Sequence, residues 1–266
     1  MGDTWLAIPK DWLSSMGEIV RFCSRIVIEV FTLKVFRFFG EALRQAGLLI
    51  LSSTLVIWGL IFIIGLQCGI EGAYFNRAVG APAYAGVFAA WCDLRELVPY
   101  GFGYMMAAKV GTGIVAELGS MRISDEIDAL EVMGIPSLTF LCATKLLAAW
   151  LVLPFMYLAG IGAGFFASYL AVVQQIGEVS SGGYFLIFWM FQNPPDLLYS
   201  VIKGMAMATL IVLVGCYYGY NASGGPVGVG TATAKSMVLN IVLVHLVGML
   251  GTQLFWGANP RAPIGG

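Results

Sequence analysis

Residues 123–135, ISDEIDALEVMGI, set four carboxylates, Asp125, Glu126, Asp128 and Glu131, within a single short segment. Grouped carboxylates can act as acid and base or hold a cation. Nothing adjacent supplies a nucleophile, a further metal ligand or a cleft, so catalysis is a weak reading. Helix signals are stronger. Ser124 is placed to cap an N-terminus, and Asp125 and Glu126 fall in a first turn, where the helix dipole favours negative charge. Gly134 and Pro136 then stop the helix. Ile123, Ile127, Leu130 and Gly134 line one side, with Met133 beside them, and the acids fill much of the rest. The pattern predicts a helix of about nine residues, roughly 13 Å long. Such an element is either a solvated loop helix or a rigid plug for a soluble partner.

Arg95, Glu96 and Lys109 are the other informative charges. They stand in or beside an apolar run, and burying each in lipid costs about 3 kcal/mol or more. They must face protein, water or a lipid headgroup, so a structural ion pair and headgroup contact both stay open. His245 is the only histidine, inside another apolar run, and Ser223 lies in a loop; a Ser–His hydrolase is formally possible, with no spacing to support it. GTGIVA at 111–116 fits a dinucleotide pattern, but no strand precedes it. Close helix packing through small residues explains it better. GVGTATAKS at 228–236 has Val229 and Ala234 where a phosphate loop needs glycine. This chain is therefore expected to bind no ATP or other cofactor itself. Cys23, Cys68, Cys92, Cys142 and Cys216 are scattered and read as small apolar packers.

The elements that position these residues follow from composition. Of 266 residues, 59% are hydrophobic and 11% charged, against about 25% charged in soluble domains. Too little polar surface remains to cover a soluble globule, so the chain is an integral membrane protein. Net charge is −1 and no basic cluster appears, which argues against nucleic acid as a partner. Asp3, Lys10 and Asp11 interrupt the N-terminus, so no signal peptide is expected. In residues 18–44, polar side chains recur every three or four positions on a wide apolar face. This predicts an amphipathic helix at the membrane interface, packed in part on the protein.

Apolar runs at 46–66, 97–118, 138–173, 197–219 and 237–256 predict five transmembrane helices. Residues 78–92 are too short and broken to cross. Lysine and arginine crowd the segment before the first run, placing the N-terminus in the cytoplasm. Residues 119–137 and 220–236 are then cytoplasmic and the C-terminus external. The expected fold is all-α: an N-terminal interfacial segment (1–45), a five-span domain (46–258) with a short cytoplasmic helix, and a tail (259–266).

Three stretches carry a resemblance: RELVP at 95–99, AELGSMRISDEIDALEVMG at 116–134 and GGPVGVGTATAKSMV at 224–238. Their wording, order and spacing are similar to the MlaE/YrbE permeases, most of all the actinobacterial B-type subunit. Val98 stands where that family has Gly, and Lys109 where it has Arg, which is not an equivalent donor. The resemblance implies a permease subunit of the cell membrane that moves lipid, fatty acid or sterol, by import, with MCE-domain tunnel proteins. It implies a second, homologous permease subunit as heterodimer partner. It also implies a cytoplasmic ABC ATPase dimer that holds ATP and Mg²⁺. Ser124, Asp125, Glu126, Asp128, Leu130 and Glu131 would form the coupling helix, within 123–134, that docks on that ATPase. Arg95, Glu96 and Lys109 become lipid-pathway candidates. An ATPase-independent carrier or a lipid-binding scaffold is the alternative.

Overall fold

A computed structural model describes residues 4–259, with side chains at 14 and from 16 onward. Of the expected tail 259–266, all but Asn259 lies outside the described residues. Eight helices and no strand are found among the described residues: α1 (Thr4–Phe31), α2 (Phe39–Ala78), α3 (86–123), α4 (Glu126–Val132), α5 (Leu138–Ile176), α6 (Ser181–Met190), α7 (Pro194–Tyr220) and α8 (Gly225–Trp256). Segments of π-helix interrupt α3 at Ala89–Leu97 and Met106–Gly111 and form both ends of α5.

The segment 34–78 and helices α5, α7 and α8 are long and apolar enough to cross a membrane. The expected run at 97–118 lies inside α3, which is helical throughout but does not reach that apolarity. Pro99, Lys109 and four glycines dilute it. Burial explains why it tolerates them: Val98, Phe102, Met106, Val115 and Leu118 are fully covered by protein, so the helix has less need of a lipid-compatible surface.

The helices are shared between two compact units. One comprises Met1–Leu48, Val110–Leu151 and Thr209–Asn240. In it, Ile19, Ile26 and Val30 of α1 are buried, while Val20, Ile28 and Phe31 are exposed. The face turned to protein is thus only part of its apolar surface. The single helix expected over 18–44 is broken. Thr32 bonds its hydroxyl back to the Ile28 carbonyl at 2.7 Å, and Leu33 turns left-handed at φ 61°. A 3-10 turn at Lys34–Phe38 then leads into α2. Left-handed geometry costs a non-glycine residue about 1–2 kcal/mol; the buried Val35 just beyond and the Lys34–Glu29 ion pair at 3.1 Å hold the corner.

The other unit comprises Leu49–Lys109, Val152–Ala208 and Ile241–Gly266. Its helices approach through small residues. A Cβ at Gly65 would overlap the Gly164 backbone, and one at Gly69 would meet the Ser168 carbonyl at 2.9 Å. Without a hydrophobic drive between helices in lipid, this closeness supplies van der Waals contact instead. Between α5 and α7 stands a further short helix, α6. There Ser180 accepts a hydrogen bond from the Gly183 amide at 3.2 Å and so caps α6. Tyr184, Ile187 and Phe188 of α6 pack on Ala85, Ala89 and Ala90, which covers the broken segment 78–92.

Candidate functional site

The acidic segment folds, in the first unit, as two pieces around a sharp corner. Ser124 closes the C-terminal end of α3, with its hydroxyl 3.0 Å from the Ser120 carbonyl and 2.9 Å from Glu126 Oε1. It does not cap α4, which corrects the expectation from sequence. Asp125 takes that position, in left-handed geometry at φ 57° and without a side-chain cap bond. An aspartate tolerates that backbone better than most residues, so the turn can be this tight. α4 ends as expected at Gly134, φ 76°: the Ile135 amide bonds to the Leu130 carbonyl at 3.0 Å and the Gly134 amide to Glu131 at 2.9 Å. This is a Schellman closure.

Ile127 is fully buried and Leu130 half-buried, anchoring α4. All four acids are exposed, and besides Glu126, which accepts from Ser124, two more have partners within the chain. Asp128 pairs with Arg122 at 2.6 Å. Glu131 accepts from the Ser137 hydroxyl at 2.6 Å and the Tyr220 hydroxyl at 3.2 Å. The exposed surface is not purely acidic, because apolar side chains share it. Val132 is 88% exposed and Met133 66%, beside Asp125 and Glu126, both exposed. An apolar tip flanked by carboxylates is suited to a groove on another protein.

In the second unit, Arg95 and Glu96 lie in the first π segment of α3 and meet two charges of α7. Arg95 pairs with Asp196 at 2.6 Å, both buried, and its guanidinium stacks 4.4 Å over the Trp91 ring. The Trp256 indole donates to the other Asp196 oxygen at 2.8 Å. Lys203, its side chain wholly buried, donates to Glu96 Oε2 at 2.8 Å, to the Arg95 carbonyl at 2.9 Å and to Thr252 at 2.8 Å. Glu96 is the less covered member, with about a third of its side chain exposed.

Arg95, Glu96 and Thr252 of this network supply the polar lining of a pocket of about 340 Å³, walled by Val87, Phe88, Trp91 and Trp256 and reached by Cys92, while Asp196 and Lys203 hold that lining from behind. Apolar walls with a few fixed polar groups are the usual make-up of a small-molecule site. Lys109, exposed, stands about thirteen residues farther along α3, roughly 20 Å at 1.5 Å per residue, and is not part of this lining.

Asp196 and Thr252 escaped sequence reasoning, and Lys203 stood out only as a charge in a span. A signal existed. Asp196, Ser200 and Lys203 recur at helical spacing in an otherwise apolar helix, and all three are buried. Such a stripe must face protein, and Arg95 and Glu96 were the charges awaiting partners. His245 accepts from the Tyr104 hydroxyl at 3.0 Å and places its Nδ1 2.9 Å from the Ile241 carbonyl. With both ring nitrogens engaged, it offers no base to a serine. Residues 228–236 lie within α8, which excludes a phosphate loop there.

Comparison with known proteins bears on this arrangement. The family profile described as "Permease MlaE" matches residues 42–254. A "Probable ABC transporter permease protein" of Rickettsia bellii is 32% identical over 162 residues, 61% of this chain and 62% of that protein. The Arabidopsis thaliana protein "TRIGALACTOSYLDIACYLGLYCEROL 1, chloroplastic" is 28% identical over 217 residues, 81% of this chain and 59% of its own length. The matched region thus spans about three fifths of each of these two curated relatives. In Synechocystis, a "Probable ABC transporter permease protein" is 24% identical over 224 residues, 84% of this chain and 83% of that one.

Proposed function

The chain belongs to the MlaE permease family of ABC transporter permeases, and from that premise we propose that it forms the lipid path of an ATP-driven importer working with MCE proteins. A cytoplasmic ATPase dimer binds ATP and Mg²⁺ and docks on α4. A second, homologous permease subunit completes the membrane part. The pocket over the Arg95–Asp196 and Glu96–Lys203 pairs is the observation that carries this reading. Its aromatic walls suit an acyl chain or sterol ring, and Glu96, partly exposed, can meet a polar headgroup at the floor. Its volume is at the low end for ligand sites, enough for part of a lipid. The galactolipid in the Arabidopsis relative's name supports lipid as cargo. Purification from the native host in mild detergent tests the assembly, with lipid extraction and mass spectrometry of the product. Co-purifying ATPase, MCE proteins and a stoichiometric lipid are expected. A lone homo-oligomer would favour an ATPase-independent carrier or scaffold.

Orientation is part of the same proposal. The cluster of Lys and Arg before residue 46 puts the N-terminus, residues 119–137 and residues 220–236 in the cytoplasm, and α1 along the inner interface. On a cysteine-free background, an impermeant thiol reagent added to intact cells should label Pro263→Cys but neither Ser124→Cys nor Ser223→Cys. Labelling of Ser124→Cys from outside would invert the arrangement and leave α4 unable to reach a cytosolic ATPase.

A further inference from the structure

The second unit contains two cysteines, Cys68 on α2 and Cys92 on α3, and both stand against the turn of α3 that begins at Phe88. The Cys68 thiol donates to the Phe88 carbonyl at 3.9 Å. α2 has no side chain at the crossing one turn on: a Cβ at Gly72 would sit 2.5 Å from the Phe88 Cβ. Cys92 lies one helical turn past Phe88, and helical side chains lean back toward the N-terminus, which brings its sulfur over the same turn. Cys92 also lines the 340 Å³ pocket, so a reagent has a way in, while Cys68 is buried behind it.

We infer that Cys68 and Cys92 are a redox pair, closing to a disulfide that pins α2 to the wall of the lipid pocket. Chemically, the Cys92 thiolate attacks the disulfide of an oxidant and expels one of its thiolates. The Cys68 thiolate then attacks the mixed disulfide and expels the second. Two S–H bonds are lost, one S–S bond forms, two electrons reduce the oxidant's disulfide to two thiols, and the two protons balance those thiols. In the cell the inference rests on the proposed orientation, which sets the 79–85 connection, and with it this pair, toward the external, oxidising side. The remaining three cysteines are placed differently. Cys23, Cys142 and Cys216 belong to the other unit, Cys142 and Cys216 are fully buried, and none of the three lines this pocket.

The test uses the full chain in detergent, where no membrane separates reagent from either face, so its failure is separable from an error in orientation. The protein is treated with oxidised glutathione, blocked with a maleimide after denaturation, digested without reductant and analysed by mass spectrometry. A peptide joining Cys68 to Cys92, lighter by two hydrogens and lost on adding dithiothreitol, is expected. Cys23, Cys142 and Cys216 should carry maleimide. In Cys68→Ser, Cys92 should instead retain glutathione, because nothing resolves the mixed disulfide. Maleimide on both Cys68 and Cys92 of the wild type overturns the pair. So does glutathione on Cys92 with Cys68 still a thiol.

Discussion

Asp196→Ala is expected to lower stability by about 3–5 kcal/mol, the usual cost of removing one partner from a buried ion pair. The loss is large because the change strands more than one group. Arg95 loses the carboxylate it meets at 2.6 Å, and the Trp256 indole loses its acceptor at 2.8 Å. The midpoint of thermal unfolding in detergent reads the effect directly. Replacing both partners is a different experiment. Arg95→Met with Asp196→Leu removes the charges and keeps apolar volume, and such exchanges of a buried pair are often neutral or stabilising. The double variant should therefore recover most of the lost stability. Transport should stay impaired, because the pocket has lost Arg95 from its polar lining and the cation over Trp91. Wild-type transport by the stable double variant would assign the Arg95–Asp196 pair to architecture alone and leave Glu96–Lys203 as the pathway charges.

How much of this is legible in the sequence depends on the range of the interaction. The long apolar runs announce α5, α7 and α8 plainly, because about twenty residues in a row with at most a single charge match the thickness of a bilayer and suit little else. The end of α4 is equally plain: Gly134 is the residue that adopts φ 76° without strain, and Pro136 follows it. The start of α4 is not. Ser124 has the chemistry of a cap, but its hydroxyl is spent on Ser120 and Glu126, and only the left-handed turn at Asp125 shows where α3 stops. Leu33 could not have been foreseen as a corner. Nothing in a leucine advertises positive φ; the neighbouring packing imposes it. The inward ties of Glu131 are invisible for another reason, since Tyr220 is 89 positions away. Conversely, the Asp196–Ser200–Lys203 stripe is readable by periodicity, and pairing it with Arg95 and Glu96 needs only the rule that intramembrane charges seek partners.

Val132→Asp combined with Met133→Asp is expected to abolish association with the ATPase while the chain still folds and inserts. These two side chains are 88% and 66% exposed at the tip of an element anchored by the buried Ile127, so replacing them removes no internal contact of that anchor. If they fill a groove on the ATPase, each buried aspartate there costs about 2 kcal/mol or more, the scale of an interface hot spot. Together that is roughly a thousandfold in affinity. Charge reversal at the acids, Asp128→Lys with Glu131→Lys, should also uncouple transport. It is the less clean experiment, because Asp128 holds Arg122 and Glu131 holds Ser137 and Tyr220, so the reversal disturbs α4 itself. Comparing the two variants separates docking from folding. Both should lose the ATPase on purification, but only the charge reversal should also lower the unfolding temperature. Undiminished ATPase co-purification by a well-inserted Val132→Asp, Met133→Asp variant would show that the coupling surface lies elsewhere on the chain.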